Sequence, residues 1–120
     1  MTERRIVLVA APDAGLRRSI EFALASGRFK TDAHGYATSA FASSYANQAV
    51  CAVLDDEAIE DWRKAPAQFV DFARPIILLV SPFRLAPDAP LLTVLRKPFL
   101  GEPLISAVRD AVAATSDRDT

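Results

Sequence analysis

Two side chains at the ends of apolar runs carry the chemistry that this chain suggests. Asp55 follows Val50-Cys51-Ala52-Val53-Leu54. Lys97 follows Leu91-Leu92-Thr93-Val94-Leu95-Arg96 and precedes Pro98-Phe99. If both runs are parallel strands of one sheet, a carboxylate and an ammonium meet at its carboxyl edge, where open α/β sheets bind ligands. Such a pair is an ion pair at rest and, with further acids beside it, half of a metal-dependent site. The first apolar run ends instead in Ala10-Ala11, where a metal site would want carboxylates.

The elements that must position this pair are readable from hydrophobic periodicity. Ile6-Val7-Leu8-Val9 is a continuous β-branched run, the mark of a strand buried on both faces. Pro12-Asp13 breaks it, and Asp13 is placed to cap a following helix. Leu16, Ile20, Phe22, Ala23 and Leu24 form that helix's apolar stripe, and Gly27 is expected to end it. Residues 29–34 read as a half-polar edge strand and 39–49 as a second, Ala- and Ser-rich helix. The third strand is 50–54. Residues 58–64 have helical character, and Pro66 breaks or restarts that helix. Pro75-Ile76-Ile77-Leu78-Leu79-Val80 is a strand with its proline at the first position, where a missing N–H is tolerated. Pro82, Pro87 and Pro90 rule out a normal helix over 81–90. A fifth strand covers 91–96, and a last helix over 101–114 presents Leu104, Ile105, Val108 and Val112 on one face. Residues 117–120 read as a polar tail on a domain spanning 1–116.

Alternating strands and helices imply right-handed βαβ crossovers and a parallel sheet covered on both faces. The expected fold class is α/β, a flavodoxin-like doubly wound five-stranded sheet of order 2-1-3-4-5 with a degenerate fourth helix.

Composition narrows the function classes. The 120 residues are 51% hydrophobic and carry a net charge of −1 with scattered basic residues, unlike a nucleic-acid binder with a concentrated basic face. The N-terminal apolar run is too short for a signal-peptide core. No stretch reaches the roughly 20 apolar residues of a membrane span. A cytoplasmic protein with no membrane contact is expected. Cys51, the single cysteine, reads as a small core hydrophobe, and the lone His34 does not suggest a metal site. Trp62 and Phe69 read equally as core or as partner surface. No Gly-rich phosphate loop follows the first strand, so a nucleotide-binding enzyme has no support.

In Cys51-Ala52-Val53-Leu54-Asp55, Pro75-Ile76-Ile77-Leu78-Leu79 and Val94-Leu95-Arg96-Lys97-Pro98-Phe99 the chain resembles the receiver domain of two-component response regulators (the CheY-like superfamily). The resemblance covers nearly its whole length. It implies that Asp55 stands at the position that accepts a phosphoryl group from a histidine kinase, and that Lys97 stands where the family's lysine contacts that group. It also implies a cis bond before Pro98. Five departures accompany it. Ala10 and Ala11 replace the acidic pair that holds Mg²⁺, leaving Asp13 and Asp56 as weak candidate ligands. Val80 replaces the Thr or Ser that bonds the phosphoryl group, with Ser81 one residue later. Val94 replaces the family's switch aromatic. Prolines fill the place of the fourth helix, and the loop after Asp55 lacks the usual Pro turn and Gly.

The expected function is therefore that of an atypical receiver, a pseudo-receiver, in two-component signalling or a phosphorelay. It would act by protein contact, without enzymatic activity, cofactor or Mg²⁺-dependent phosphorylation. Expected partners are a histidine kinase, another receiver or an output domain, or a second copy in a homodimer formed through the first or last helix. The alternative is a phosphoaccepting receiver modified on Asp55, with Mg²⁺ held by Asp13 and Asp56.

Overall fold

The computed structural model describes residues 5–97 and 101–118, with side chains described as far as 115. The Lys97–Pro98 bond and the side chain of Pro98 thus lie outside the described residues. Five parallel strands form one sheet in the order β2-β1-β3-β4-β5. They are β1 (Ile6–Ala10), β2 (Lys30–His34), β3 (Cys51–Asp55), β4 (Ile76–Val80) and β5 (Leu92–Arg96). The expected order holds. The register sets Ala10 beside Leu54, Asp55 beside Leu79 and Val80 beside Arg96, so the strands end on a common edge.

Side-chain alternation divides the core in two. Val7, Val9, Cys51, Val53, Ile77 and Leu79 pack with Ile20 and Leu24 of α1 (Ala14–Ser26) and with Leu104 and Val108 of α4 (Glu102–Arg118). Leu8, Ala10, Ala52, Leu54, Leu78 and Val80 face α2 (Ala37–Phe41) and α3 (Ala65–Phe72), where Phe69 and Phe72 fill the core. Both faces of the central strands are dry, which explains their unbroken apolar sequence. Cys51 is one of these core side chains, and burial pushes its thiol up to about 12. Trp62 packs at the margin of the second cluster.

Several boundaries differ from the sequence reading. The second helix stops at Phe41 and gives way to turns. Ser43 there donates its hydroxyl to Asp32 and accepts the Tyr45 N–H. A serine that bonds its own neighbourhood competes with helix continuation. Pro66 lies in the first turn of α3, where a missing N–H costs nothing. Phe22, counted in the apolar stripe of α1, is 79% exposed. Between β4 and β5 there is no helix, as the prolines require.

Gly27 ends α1 for a different reason from the expected one. Its φ is −86°, and the left-handed residue is Arg28, with φ 70°. Arg28 N–H reaches Ala25 O and Phe29 N–H reaches Leu24 O, the pair of bonds that closes a Schellman cap. At Gly27 the constraint is space, since a Cβ there would sit 3.2 Å from the Ile105 side chain of α4, which would have to shift to admit it. Ala73, which caps α3, is also left-handed at φ 59°. Arg28→Gly and Ala73→Gly are each expected to raise stability by roughly 0.5–1 kcal/mol, by relieving the left-handed strain of an L-residue. A melting temperature that falls in both variants would refute that strain.

Candidate functional site

The carboxyl edge gathers an acid pair and two cations. Asp55 ends β3, and Asp56 opens a 3₁₀ turn (Asp56–Ala58) that bends the chain as it leaves the strand. Among the described residues these are the buried polar side chains, at 2% and 1% exposure. Lys97 follows β5 directly, and its N–H donates to Val80 O at 2.9 Å. That bond ties the lysine to the end of β4 and carries its ammonium between the two acids. Nζ pairs with Asp55 Oδ1 and lies 2.8 Å from Asp56 Oδ1. The Lys97 ammonium is thus the cation set directly against Asp55 Oδ1.

Asp56 has further partners. Its Oδ2 accepts the main-chain N–H of Ser81 at 2.8 Å and Nε of Arg84 at 3.0 Å. Arg84 also lies 4.0 Å from Glu57 and stacks over Trp62 at 5.3 Å from the ring centre. Ser81 thus contributes its amide. Val80, at the gapless family position, turns its side chain into the α2–α3 core.

The neighbouring acids are driven in opposite directions. Burial pushes the Asp55 carboxyl up; Lys97 opposes this without cancelling it, and the charge of Asp56 adds to it. Burial also acts upward on Asp56, but hydrogen bonds from Lys97 and Ser81 outweigh it and bring that carboxyl down to about 2. Burial lowers Lys97, yet bonds and charge from both acids raise it on balance. The ammonium is therefore a fixed positive charge.

The remaining sequence candidates fall elsewhere. Ala10 and Ala11 are wholly buried, one in each half of the core, and offer no oxygen ligand from their side chains. The carbonyl of Ala11 accepts a hydrogen bond from Arg17 at 2.8 Å, so a guanidinium occupies the loop after β1. Asp13 caps α1, accepting Leu16 N–H at 2.7 Å. Val94 packs half-buried against the α2–α3 cluster. His34 bonds Asp32, which also receives Ser43. Sequence reasoning weighed Asp56 only as a spare ligand and did not single out Arg84. A second acid directly after a buried strand was the available signal for Asp56. One arginine in a proline-rich segment gave none for Arg84.

No protein-family model matches the chain. It is 33% identical over 116 residues to the transcriptional regulator protein FixT of Rhizobium meliloti (strain 1021), covering 95% of this chain and 98% of that one. The chain belongs to the FixT family. It also superposes on a response regulator receiver domain from Clostridium thermocellum with a TM-score of 0.79 at 15% identity, covering 93% of this chain and 97% of that one. A response regulator receiver protein from Sinorhizobium medicae WSM419 gives 0.74 at 23% identity, covering 93% and 97%. A sensor protein from Polaromonas sp. JS666 gives 0.77 at 18%, covering 93% and 98%. The fold of this FixT-family chain is the receiver fold. None of its described helices is long and apolar enough to cross a membrane.

The two acids should respond differently to neutralisation. Asp56, held at about 2 against an ordinary 3.8, stabilises the fold above pH 4 and loses that contribution as pH falls through 2. Asp55, shifted upward, costs stability while charged and is relieved as pH falls through its raised folded value. At pH 7, Asp56→Asn is expected to cost roughly 1.5–3 kcal/mol and to flatten the loss of stability between pH 4 and 2. Asp55→Asn is expected to be neutral or stabilising. Urea denaturation across pH checks both, and equal losses in the two variants would refute the asymmetry.

Proposed function

We propose that this chain is an atypical receiver in two-component signalling that works by protein–protein contact, without Mg²⁺-dependent phosphorylation of Asp55. The observation that carries this reading is the donor set at the edge. Mg²⁺ asks for near-octahedral oxygen ligands, usually with one or two carboxylates. Ala10 and Ala11 provide methyl groups, Asp13 is engaged at a helix cap, and both oxygens of Asp56 are engaged by donors. Among the described residues no three His, Cys, Asp or Glu side chains group to hold a metal ion. Asp55 is then the one carboxylate left to offer Mg²⁺, and it is already paired with Lys97, so this donor set fits Mg²⁺ poorly; phosphoryl transfer without the ion lacks its main charge neutralisation. Contact as the mode of action is supported by exposed apolar side chains: Phe22 on α1, and Phe83 and Leu85 between β4 and β5. Partners of the expected kind are a histidine kinase, another receiver or an output protein.

The alternative, phosphoacceptance at Asp55, has one observation in its favour. Asp55 ends β3 at the carboxyl edge with the Lys97 ammonium against it, a positive charge that would also attract a phosphoryl group.

Incubation with acetyl phosphate and Mg²⁺, followed by intact mass, is expected to show no adduct. Stoichiometric gain of one phosphoryl group, lost in Asp55→Asn, would overturn the proposal. Mg²⁺ titration followed by Trp62 fluorescence is expected to show no saturable change. Saturation in the low-millimolar range or tighter would favour the alternative.

A further inference from the structure

Three donors from three segments converge on one buried carboxylate. The Ser81 amide lies just past β4, the Arg84 guanidinium in the β4–β5 connection, and the Lys97 ammonium just past β5. They meet Asp56 at 2.8, 3.0 and 2.8 Å. A main-chain N–H, a guanidinium and an ammonium around one point shielded from water make a donor set suited to an oxyanion. Lys97 is shared with Asp55, so any anionic group added to Asp55 would draw on a donor that Asp56 already holds.

We propose that Ser81 N–H, Arg84 and Lys97 form an oxyanion cradle that the chain fills with its own Asp56 carboxylate, and that this internal anion holds the β4–β5 turn in place without any phosphoryl group. The inference deepens the proposed function and rests on it for its signalling meaning. The cradle itself stands on geometry.

The turn shows what the cradle secures. Arg84 N–H donates to Ser81 O at 3.1 Å, closing a turn with Pro82 and Phe83 at its centre. Asp56 grips both ends of that turn, through Ser81 N–H and Arg84 Nε. From the other side, Arg96 Nη1 donates to Pro82 O at 3.2 Å. Phe83 stands at the tip, 99% exposed. A contact made through an aromatic side chain on a pre-ordered turn loses less conformational freedom on binding. In a receiver governed by modification, ordering of this edge would wait for a phosphoryl group carrying about two negative charges. Here a residue of the chain supplies the anion permanently. Because the Asp56 carboxyl is held at about 2, it stays charged throughout the pH range of a cell.

Amide-resolved hydrogen exchange by NMR on the full chain tests the cradle. In the wild type, Ser81 and Arg84 are expected to be protected, and millimolar inorganic phosphate is expected to change neither. In Asp56→Ala, both amides are expected to exchange about tenfold faster or more: Ser81 N–H loses its charge-assisted hydrogen bond to the carboxylate, and Arg84 N–H, bonded to Ser81 O, opens as the turn is released. Inorganic phosphate is then expected to enter the vacated cradle and slow them again. Amides of Val9 and Val53 report that the sheet is intact. Unchanged exchange at Ser81 and Arg84 in Asp56→Ala, or no recovery with phosphate, would overturn the cradle. If that variant does not fold, Arg84→Gln removes one donor and keeps the others. Faster Arg84-position exchange then supports the cradle, and wild-type rates overturn it. Phosphoryl uptake by wild-type Asp55 in the mass experiment would remove the proposed function while leaving the exchange comparison to decide the cradle, so the two failures are distinguishable.

Discussion

Two carboxylates adjacent in sequence and buried at the same sheet edge form the constraint on which the rest of this site depends. An unpaired buried charge is far too costly to keep, so each acid must neutralise or find a cation. Lys97 lies against both, but one ammonium cannot balance two carboxylates. Arg84 supplies the second positive charge and takes Asp56. The division is unequal. Asp56 gains two cations and a main-chain N–H, whereas Asp55 gains a share of one lysine. The same burial therefore leaves one carboxyl shifted down and its neighbour shifted up.

This arrangement also accounts for the path of the chain between β4 and β5. Prolines at 82, 87 and 90 remove a helix from that connection but do not say where the backbone goes instead. Asp56 supplies the direction, since its bonds to Ser81 and Arg84 hold the start of the connection at the carboxyl edge. β5 lies at the sheet's edge, as β2 does, and, without a helix before it, is less covered than its neighbours. Leu92, Val94 and Leu95 are only half-buried, while every residue of β3 and β4 is buried. Ala86 and Ala89 pack partly over that gap. The exposed Phe83 and Leu85 follow from the same exchange of helix for turn.

The sheet was legible because its central strands are dry on both sides and so read as unbroken apolar runs. Their ends then placed Asp55 and Lys97 on one edge without any knowledge of partners. Asp56 was not legible by the same rule. Period-two alternation sends consecutive side chains to opposite faces, so Asp56 should point away from Asp55. The 3₁₀ turn that begins at Asp56 leaves the strand's pleat and brings both acids to Lys97. Turns of this kind are set by tertiary contacts more than by local pattern. The second helix failed for a similar reason. Its composition favours helix, but the Ser43–Asp32 bond connects residues far apart in sequence and stops it at Phe41. Phe22 shows the limit of an apolar stripe, because a helix with one face on a sheet can still carry a phenyl ring into solvent.

The alanines after β1 and the pair formed by Asp56 and Arg84 are best understood together. With Ala10 and Ala11 in place, the two buried carboxylates of this edge, Asp55 and Asp56, are matched among the described residues by two cations, Lys97 and Arg84. Acids at both alanine positions would bring more negative charge to the same edge without a compensating residue, a deficit that a divalent ion would have to meet. Conversely, removing Asp56 while keeping Arg84 and Lys97 leaves an excess of donors, and an excess of donors is what admits an external anion. The side chains that decide whether this edge recruits a metal, recruits a phosphoryl group or is closed by its own residues are therefore one electrostatic unit. Under the proposed function they act together to close it.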